Sequence, residues 1–363
     1  MAAIIFAWPA GWFFLSALFF SLGLRHESRR PRTVLAALHV LAVAASLGAG
    51  GEALRELPLL AVPFVIGVTA HTTSILLLDE GTSTAGLSPS AQLRATTLLW
   101  CNIRRLEPRG SRPTAGAMLG RQHRISFGLG RISRTLVFWL VDWLVYEVLL
   151  HRTLRSLPLG IHSFAPDQRT VLPSPWTSPE LAYPDYVLRA ITSAHWIWTT
   201  YCGLTTMHHL SAALFVSVLS WESPGDWAGP PLFGSIWEAY TLRRFWGVFW
   251  HRLHVVPFSA YTPPLPKALR ALWVFLLSAA GHALVSWVLY RRAHAASEFR
   301  FFVLNWALCS CERVLGVDGG RIPGGLASEP PSTARRIAGL LSVWMFFFCT
   351  VPAWQYPGVY DRS

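Results

Sequence analysis

ALRALWVFLLSAAGHALVSWVLY, residues 268–290, decides the fold. Apart from Arg270 near its start, the run holds only apolar, aromatic and small residues around one histidine, His282. A bilayer core is crossed by about 20 apolar residues in a helix, because lipid leaves no partner for an unpaired backbone N–H or C=O. The segment therefore reads as a membrane-spanning helix with a titratable group at mid-depth, and such a group marks function more often than chance does.

Working outward, similar runs recur. Met1–Leu24 is continuous and apolar and is followed by Arg25, Arg29, Arg30 and Arg32, which predicts a retained first span with its N-terminus on the lumenal side. Thr33–Leu54 and Leu57–Leu78 form a second and third, joined only by Arg55 and Glu56 as in a helical hairpin. Asp79–Arg134 carries nine arginines and three acids and is expected on the cytoplasmic side, with Gly128-Leu-Gly130 read there as a turn. Thr135–Leu150 is apolar but holds Asp142 and Glu147, which lipid would not tolerate; they must face a bundle interior, either in a structural pair or along a substrate path. Leu157–Asp185 reads as a loop. Tyr186–Trp221, Phe299–Leu315 and Ile337–Tyr356 supply the remaining helices.

The expected fold class is thus an all-α integral membrane protein of about eight transmembrane helices enclosing an intramembrane reaction chamber. It divides into N-terminal helices over 1–78, a basic cytoplasmic loop over 79–134, central helices over 135–221, a catalytic region over 222–356 and a polar tail over 357–363. Composition agrees: 52% of the 363 residues are hydrophobic and 14% are charged, against about 25% charged in soluble domains. The net charge of +12 comes from arginines beside apolar runs, a placement suited to lipid head groups and cytoplasmic flanks rather than nucleic acid. The five cysteines lack Cys-x-x-Cys spacing, so neither a zinc site nor a disulfide framework is expected.

Between the spans lies Pro230–Pro266, with Arg243-Arg244-Phe245-Trp246-Gly247-Val248-Phe249-Trp250-His251 at its centre. Apolar packing alone has no need of that mixture of arginine, aromatics, glycine and histidine. His251 could donate a hydrogen bond to a carbonyl oxygen on which charge develops, and an imidazole at His282, held from water, could take a proton from a hydroxyl. Together they suit acyl transfer from a thioester to an alcohol. A structural helix–helix hydrogen bond remains open for either histidine, as does interfacial anchoring for Trp246 and Trp250.

Pro231-Leu-Phe-Gly234 followed by Arg243-Arg244-Phe245-Trp246-Gly247-x-x-Trp250-His251, and then Phe275-Leu-Leu-Ser-Ala-Ala-Gly-His282, resemble the two hallmark motifs of the wax synthase-like branch of the membrane-bound O-acyltransferases. That branch includes fungal acetyltransferases of terpenoid and meroterpenoid pathways. The resemblance implies that His282 is the base for the acceptor hydroxyl and that His251 supports the acyl carbonyl. Phe245, Trp246 and Trp250 would line the chamber, and Arg243 and Arg244 would meet the phosphates of an acyl-CoA. It implies no bound cofactor or metal. The implied co-substrate is acyl-CoA, most simply acetyl-CoA; the implied partners are a lipophilic alcohol and membrane lipids, with no nucleic acid; the implied location is the endoplasmic reticulum. Val248 and Phe249 stand where many family members have arginines, and Arg109-Gly110-Ser111 is only a remnant of another family motif. Three other readings compete. A long-chain wax or sterol ester synthase shares the chemistry. A transporter is favoured by Asp142, Glu147 and Glu312, and a di-iron hydroxylase by His208-His209 and His251-x-x-His254.

Overall fold

The computed structural model describes residues 2–50, 54, 61–79, 81–103, 120–170, 183–292, 294–317 and 331–360. The described residues are helical and contain no strand. Among the described residues four helices are long and apolar enough to cross a membrane: Arg29–Gly50, Ala61–Leu78, Lys267–Tyr290 and Thr333–Tyr360; Pro9–Gly23 is a shorter apolar one. The Arg55-Glu56 joint and Arg109-Gly110-Ser111 lie outside the described residues.

The chain forms two compact units, Met1–Leu106 with Arg252–Phe299, and Glu107–His251 with Arg300–Ser363. In the first, Ala2–Gly23, Arg29–Gly50 and Ala61–Leu78 pack on one another. Polar side chains join helices whose surfaces are otherwise apolar. The fully buried His39 reaches the Ser16 carbonyl through Nδ1 at 2.9 Å and the Thr72 hydroxyl through Nε2 at 2.8 Å, linking three helices with one ring. A carbonyl can only accept, so Nδ1 carries the proton and Nε2 accepts from Thr72. His71 Nε2 donates to the Leu99 carbonyl at 2.8 Å and ties Ala61–Leu78 to the Pro89–Cys101 helix. Two apolar clusters fill the spaces between. Phe20, Leu24, Ala36, Ile75 and Leu76 form one; Val43, Leu47, Leu54, Val62, Val288 and Leu289 form the other.

The buried Arg32 ends the Ala61–Leu78 helix. Its guanidinium donates to the carbonyls of Ile75 at 2.6 Å, Leu76 at 3.0 Å, Asp79 at 2.7 Å and Thr82 at 3.0 Å. The last carbonyls of a helix have no partner within it and carry its negative dipole end, so a cation with five donors satisfies both needs.

In the second unit, Arg121–Leu144 continues through a π-helical turn, Val145–His151, into Arg152–Arg155. Gly128-Leu-Gly130 is therefore helical, correcting the turn expected there: Gly128 is buried and lets Ser217 approach, with a built Cβ only 2.5 Å from Ser217 Oγ. Ser217 Oγ in turn donates to the Arg124 carbonyl at 2.7 Å. Tyr183–Ala212 packs along this helix and along Thr333–Tyr360. Thr333–Tyr360 carries Pro352 and Pro357 in its interior. A proline has no N–H for the carbonyl four residues earlier; for Pro357 that carbonyl is Ala353, and Arg300 Nη2 donates to it at 3.2 Å.

The acids expected to face a bundle interior, Asp142 and Glu147, each have a partner. Trp198 Nε1 donates to Asp142 Oδ1 at 2.8 Å. Glu147 pairs with His151 at 3.2 Å, one helical turn on.

Candidate active site

The aromatic segment is a short, braced turn in the second unit. Thr241 caps its start, its hydroxyl accepting from Arg244 N at 3.2 Å, and Glu312 accepts the backbone N–H groups of Leu242 at 2.8 Å and Arg243 at 2.7 Å. Phe245–Phe249 is a π-turn, closed by Trp250 N donating to the Phe245 carbonyl at 2.7 Å. Such widened turns recur at functional sites, because the extra residue re-aims the side chains around it. Pro231-Leu-Phe-Gly234 lies against this turn, with Gly234 N donating to the Phe249 carbonyl at 2.8 Å. The approach requires glycine: a Cβ at Gly234 would sit 2.2 Å from the Val248 carbonyl oxygen.

Under the turn is an aromatic cluster centred on Trp196, a buried residue of the Tyr183–Ala212 helix. Its ring centroid lies 4.9 Å from Trp250, 5.3 Å from Phe347, 5.6 Å from Trp354 and 6.2 to 6.3 Å from Phe245, Trp246 and Phe301. Phe245 is fully buried and stacks on Trp250 at 5.2 Å. Trp246 is half-buried, and its Nε1 donates to Asn305 Oδ1 at 2.8 Å; Asn305 is itself buried and held by its Nδ2 on the Phe301 carbonyl. His251 is half-buried beside Trp250 and Phe233, at centroid distances of 5.2 and 5.7 Å. This unit therefore brings together Phe245, Trp246, Trp250 and His251.

The two arginines differ. Arg243 is exposed. Arg244 is paired to Glu238, which Arg336 also holds at 2.7 Å, and its guanidinium lies 4.6 Å from the Tyr240 ring centre. These arginines keep the Glu238 carboxyl below its ordinary range, the hydrogen bond from Arg336 contributing most.

His282 belongs to the first unit, in Lys267–Tyr290, and is an exposed residue of that helix. It lies one turn before Val285 and two before Leu289; Leu289 shares a buried cluster with Val62 of Ala61–Leu78, and Val285, Val65 and Ile66 pack against that cluster. Next along the latter helix is Gly67, and His254 fills the space its missing side chain leaves: a Cβ there would be 2.6 Å from His254 Nε2. His254 stacks on Phe258 at 5.3 Å and starts the Val255–Ala260 helix, which packs on both spans. Tyr261 fastens the same connector, its hydroxyl donating to the Ala70 carbonyl at 2.8 Å while its own carbonyl accepts from Trp273 Nε1 at 3.2 Å.

Sequence reasoning singled out His282, noted Asn305 only as a polar residue of its span, gave no role to Gly67 and missed Trp196. His254 follows His251 at helical spacing, a signal that sequence reasoning had assigned to the di-iron alternative. Nothing in the sequence distinguishes Gly67 from other glycines in spans.

Residues 229–304, which carry the turn and the histidine helix, match the family model of the Membrane bound O-acyl transferase family. The resemblance in the two motifs thus holds, and the relatives are fungal enzymes of acyl transfer. The chain is similar to the acetyltransferase spyB of Aspergillus fumigatus, 29% identical over 160 residues, covering 38% of this chain and 27% of that protein. It is similar to the acetyltransferase nanB of Aspergillus nanangensis, 28% identical over 174 residues, covering 44% of this chain and 41% of the relative. It is also 45% identical over 65 residues to the O-mevalon transferase yanI of Aspergillus niger, covering 17% of this chain and 14% of the relative. The aligned stretches thus span well under half of those relatives' length. No solved structure matches the chain.

Proposed function

We propose that the chain is a membrane O-acyltransferase that moves an acetyl group from acetyl-CoA to a hydroxyl of a terpenoid or meroterpenoid, in the endoplasmic reticulum membrane, within a bundle of about eight helices. The observation that carries the reading is the conjunction, inside residues 229–304, of a braced aromatic turn with an accessible histidine on an apolar helix. In this reading His282 takes the proton of the acceptor hydroxyl as its oxygen attacks the thioester carbon. The carbon–sulfur bond then breaks, and the thiolate recovers the proton from the imidazolium, so His282 ends as it began. His251 supports the acyl oxygen, Phe245, Trp246 and Trp250 wall the acyl site, and Arg243 and Arg244 attract the CoA phosphates from the cytosolic side. Arg243 is the more exposed of the two.

A larger donor is favoured by one observation. Two relatives are named O-mevalon transferases, yanI and the macI protein of Penicillium terrestre, and not acetyltransferases. A long-chain wax or sterol ester synthase uses the same steps with a deeper acyl site. The transporter reading loses its support, since Asp142, Glu147 and Glu312 each have a structural partner.

The test uses membranes containing the chain, labelled acetyl-CoA or palmitoyl-CoA, and a panel of terpenoid, sterol and fatty alcohols, with His282→Ala alongside. Ester from acetyl-CoA, lost in the variant by about a hundredfold or more, supports the reading. Transfer from palmitoyl-CoA alone moves the function to lipid esterification. Full activity in His282→Ala removes the base.

A further inference from the structure

Arg189 is fully buried on the Tyr183–Ala212 helix, and its guanidinium faces Thr333–Tyr360, with its carbon 5.9 Å from the Phe348 ring centre, at the limit of a cation–π contact. Its Nη1 and Nη2 both donate to one acceptor, the Thr170 carbonyl, Nη1 at 3.2 Å. Its Nε is buried without a hydrogen-bond partner, and it makes no ion pair with a carboxylate of a described residue, not even with Asp185 one turn earlier on the same helix. Arg32 shows the contrast: its donors are spread over four carbonyls around a helix end. Arg189 has five N–H groups and a single carbonyl. A cation held from water without a counter-charge is strongly destabilising, so packing alone would favour leucine or methionine in its place.

Two turns further along this helix, about 10 Å by its rise, is Trp196. It is 7% exposed, its Nε1 has no hydrogen-bond partner, and its ring lies beside Phe245, Trp246 and Trp250 of the motif turn. Between the two, Ser193 Oγ donates to the Arg189 carbonyl at 2.6 Å and lies 3.2 Å from that of Phe347. The buried side of one helix thus carries an indole donor at the motif turn and a cation about 10 Å away, and each calls for an acceptor oxygen.

We propose that these two residues recognise an anionic acceptor: the alcohol is a hydroxy acid whose carboxylate pairs with Arg189, while an oxygen nearer its hydroxyl accepts from Trp196 Nε1. The carboxylate takes the Nε side of the guanidinium fork, where Thr170 makes no bond. The inference rests on the acyl-transfer reading and narrows its acceptor from any lipophilic alcohol to one that carries a negative charge. Arg189 sets specificity, and no bond is made or broken at it.

Two measurements test this in wild type and Arg189→Met. In the first, with the acyl donor fixed, terpenoid alcohols bearing a carboxyl about 10 Å from the hydroxyl are compared with their methyl esters. The expected kcat/KM in wild type is about tenfold to a hundredfold higher for the acid, and Arg189→Met brings the ratio near one by losing the acid and keeping the ester. In the second, dodecanoate, methyl dodecanoate and dodecanol are added to the purified protein. Dodecanoate alone should raise the melting temperature of wild type, and it should leave that of Arg189→Met unchanged. Without ligand Arg189→Met should melt no lower than wild type, because it removes an uncompensated charge. Equal use of acid and ester by wild type overturns the proposal, and so does an acid preference that survives in Arg189→Met. A variant that melts well below wild type, or does not fold, also overturns it, since Arg189 is then a clamp on Thr170 alone. The proposed function fails separately, if wild type acylates neither acid nor ester; the dodecanoate shift then still decides for or against the carboxylate site by its presence or absence.

Discussion

Asn305 Oδ1 accepts the indole N–H of Trp246 at 2.8 Å, from inside a helix where its own amide is fixed on Phe301. The tryptophan at the head of the motif is thus oriented by a fully buried side chain outside it. Replacing Asn305 by leucine leaves that N–H without its partner, at a cost of about 1–3 kcal/mol. The expected outcome is a lower melting temperature and about tenfold weaker transfer; Asn305→Asp, which keeps an acceptor, retains more activity than leucine. Thermal melts and initial rates on the purified protein check both.

Two glycines, Gly234 packed against the turn and Gly247 within it, separate fold from function. Gly234→Ala puts a methyl 2.2 Å from the Val248 carbonyl, and the expected destabilisation is about 1–3 kcal/mol, seen as a fall in melting temperature and yield. Gly247 is exposed, with nothing within 4 Å of a built Cβ. Gly247→Ala is therefore expected to melt with wild type, and any loss of transfer it shows reports a ligand passing close to the backbone there.

Glu238, outside the spans and held by Arg336 and Arg244, gives a pH test with a definite sign. Its carboxyl pKa is lowered from 4.5 in the fold, so the unfolded chain binds the proton first as pH falls. The stability it contributes is complete above that value and is lost progressively as pH falls through the lower folded-state pKa. Melting temperatures of wild type and Glu238→Gln should differ at pH 7 and converge only as the folded-state carboxyl itself takes up its proton, below 4.5. A difference that persists at the acid end means the carboxylate charge is not what stabilises the pair.

Arg32→Met removes four hydrogen bonds from the end of a membrane helix. The expected loss is about 3 kcal/mol, since charge-assisted bonds to otherwise unpaired carbonyls are among the stronger ones. Lysine should recover only part, having a point charge in place of a planar fork. Protease resistance of the Thr82–Leu87 region, held at Thr82 by Arg32 and at Ser83 by the Leu24 carbonyl, reads the same change locally.

What the sequence made legible was where apolar surface lies. The runs from Thr33 and Leu57 became Arg29–Gly50 and Ala61–Leu78, and the run from Ala268 became Lys267–Tyr290. The run from Thr135 hid a longer helix, because Arg121–Arg134 interleaves arginines with Ile125, Leu129 and Ile132 at helical spacing. Reading for unbroken hydrophobicity passes over such a stretch. The motif residues Phe245, Trp246, Trp250 and His251 were visible because their types are costly to place without reason. Trp196 and Asn305 were not, because each takes its meaning from residues about fifty or more positions away.

Arginine count is the usual guide to which loops face the cytosol, and the buried arginines do not belong in it. Among the described residues Arg32 and Arg189 are buried, and their guanidinium groups donate to the carbonyls of Ile75 and Thr170. Each charge is directed at backbone oxygen rather than toward a lipid surface. A sidedness vote that weighs every arginine equally therefore misreads this protein, and an orientation assay on epitope-tagged loops should follow the exposed charges that remain.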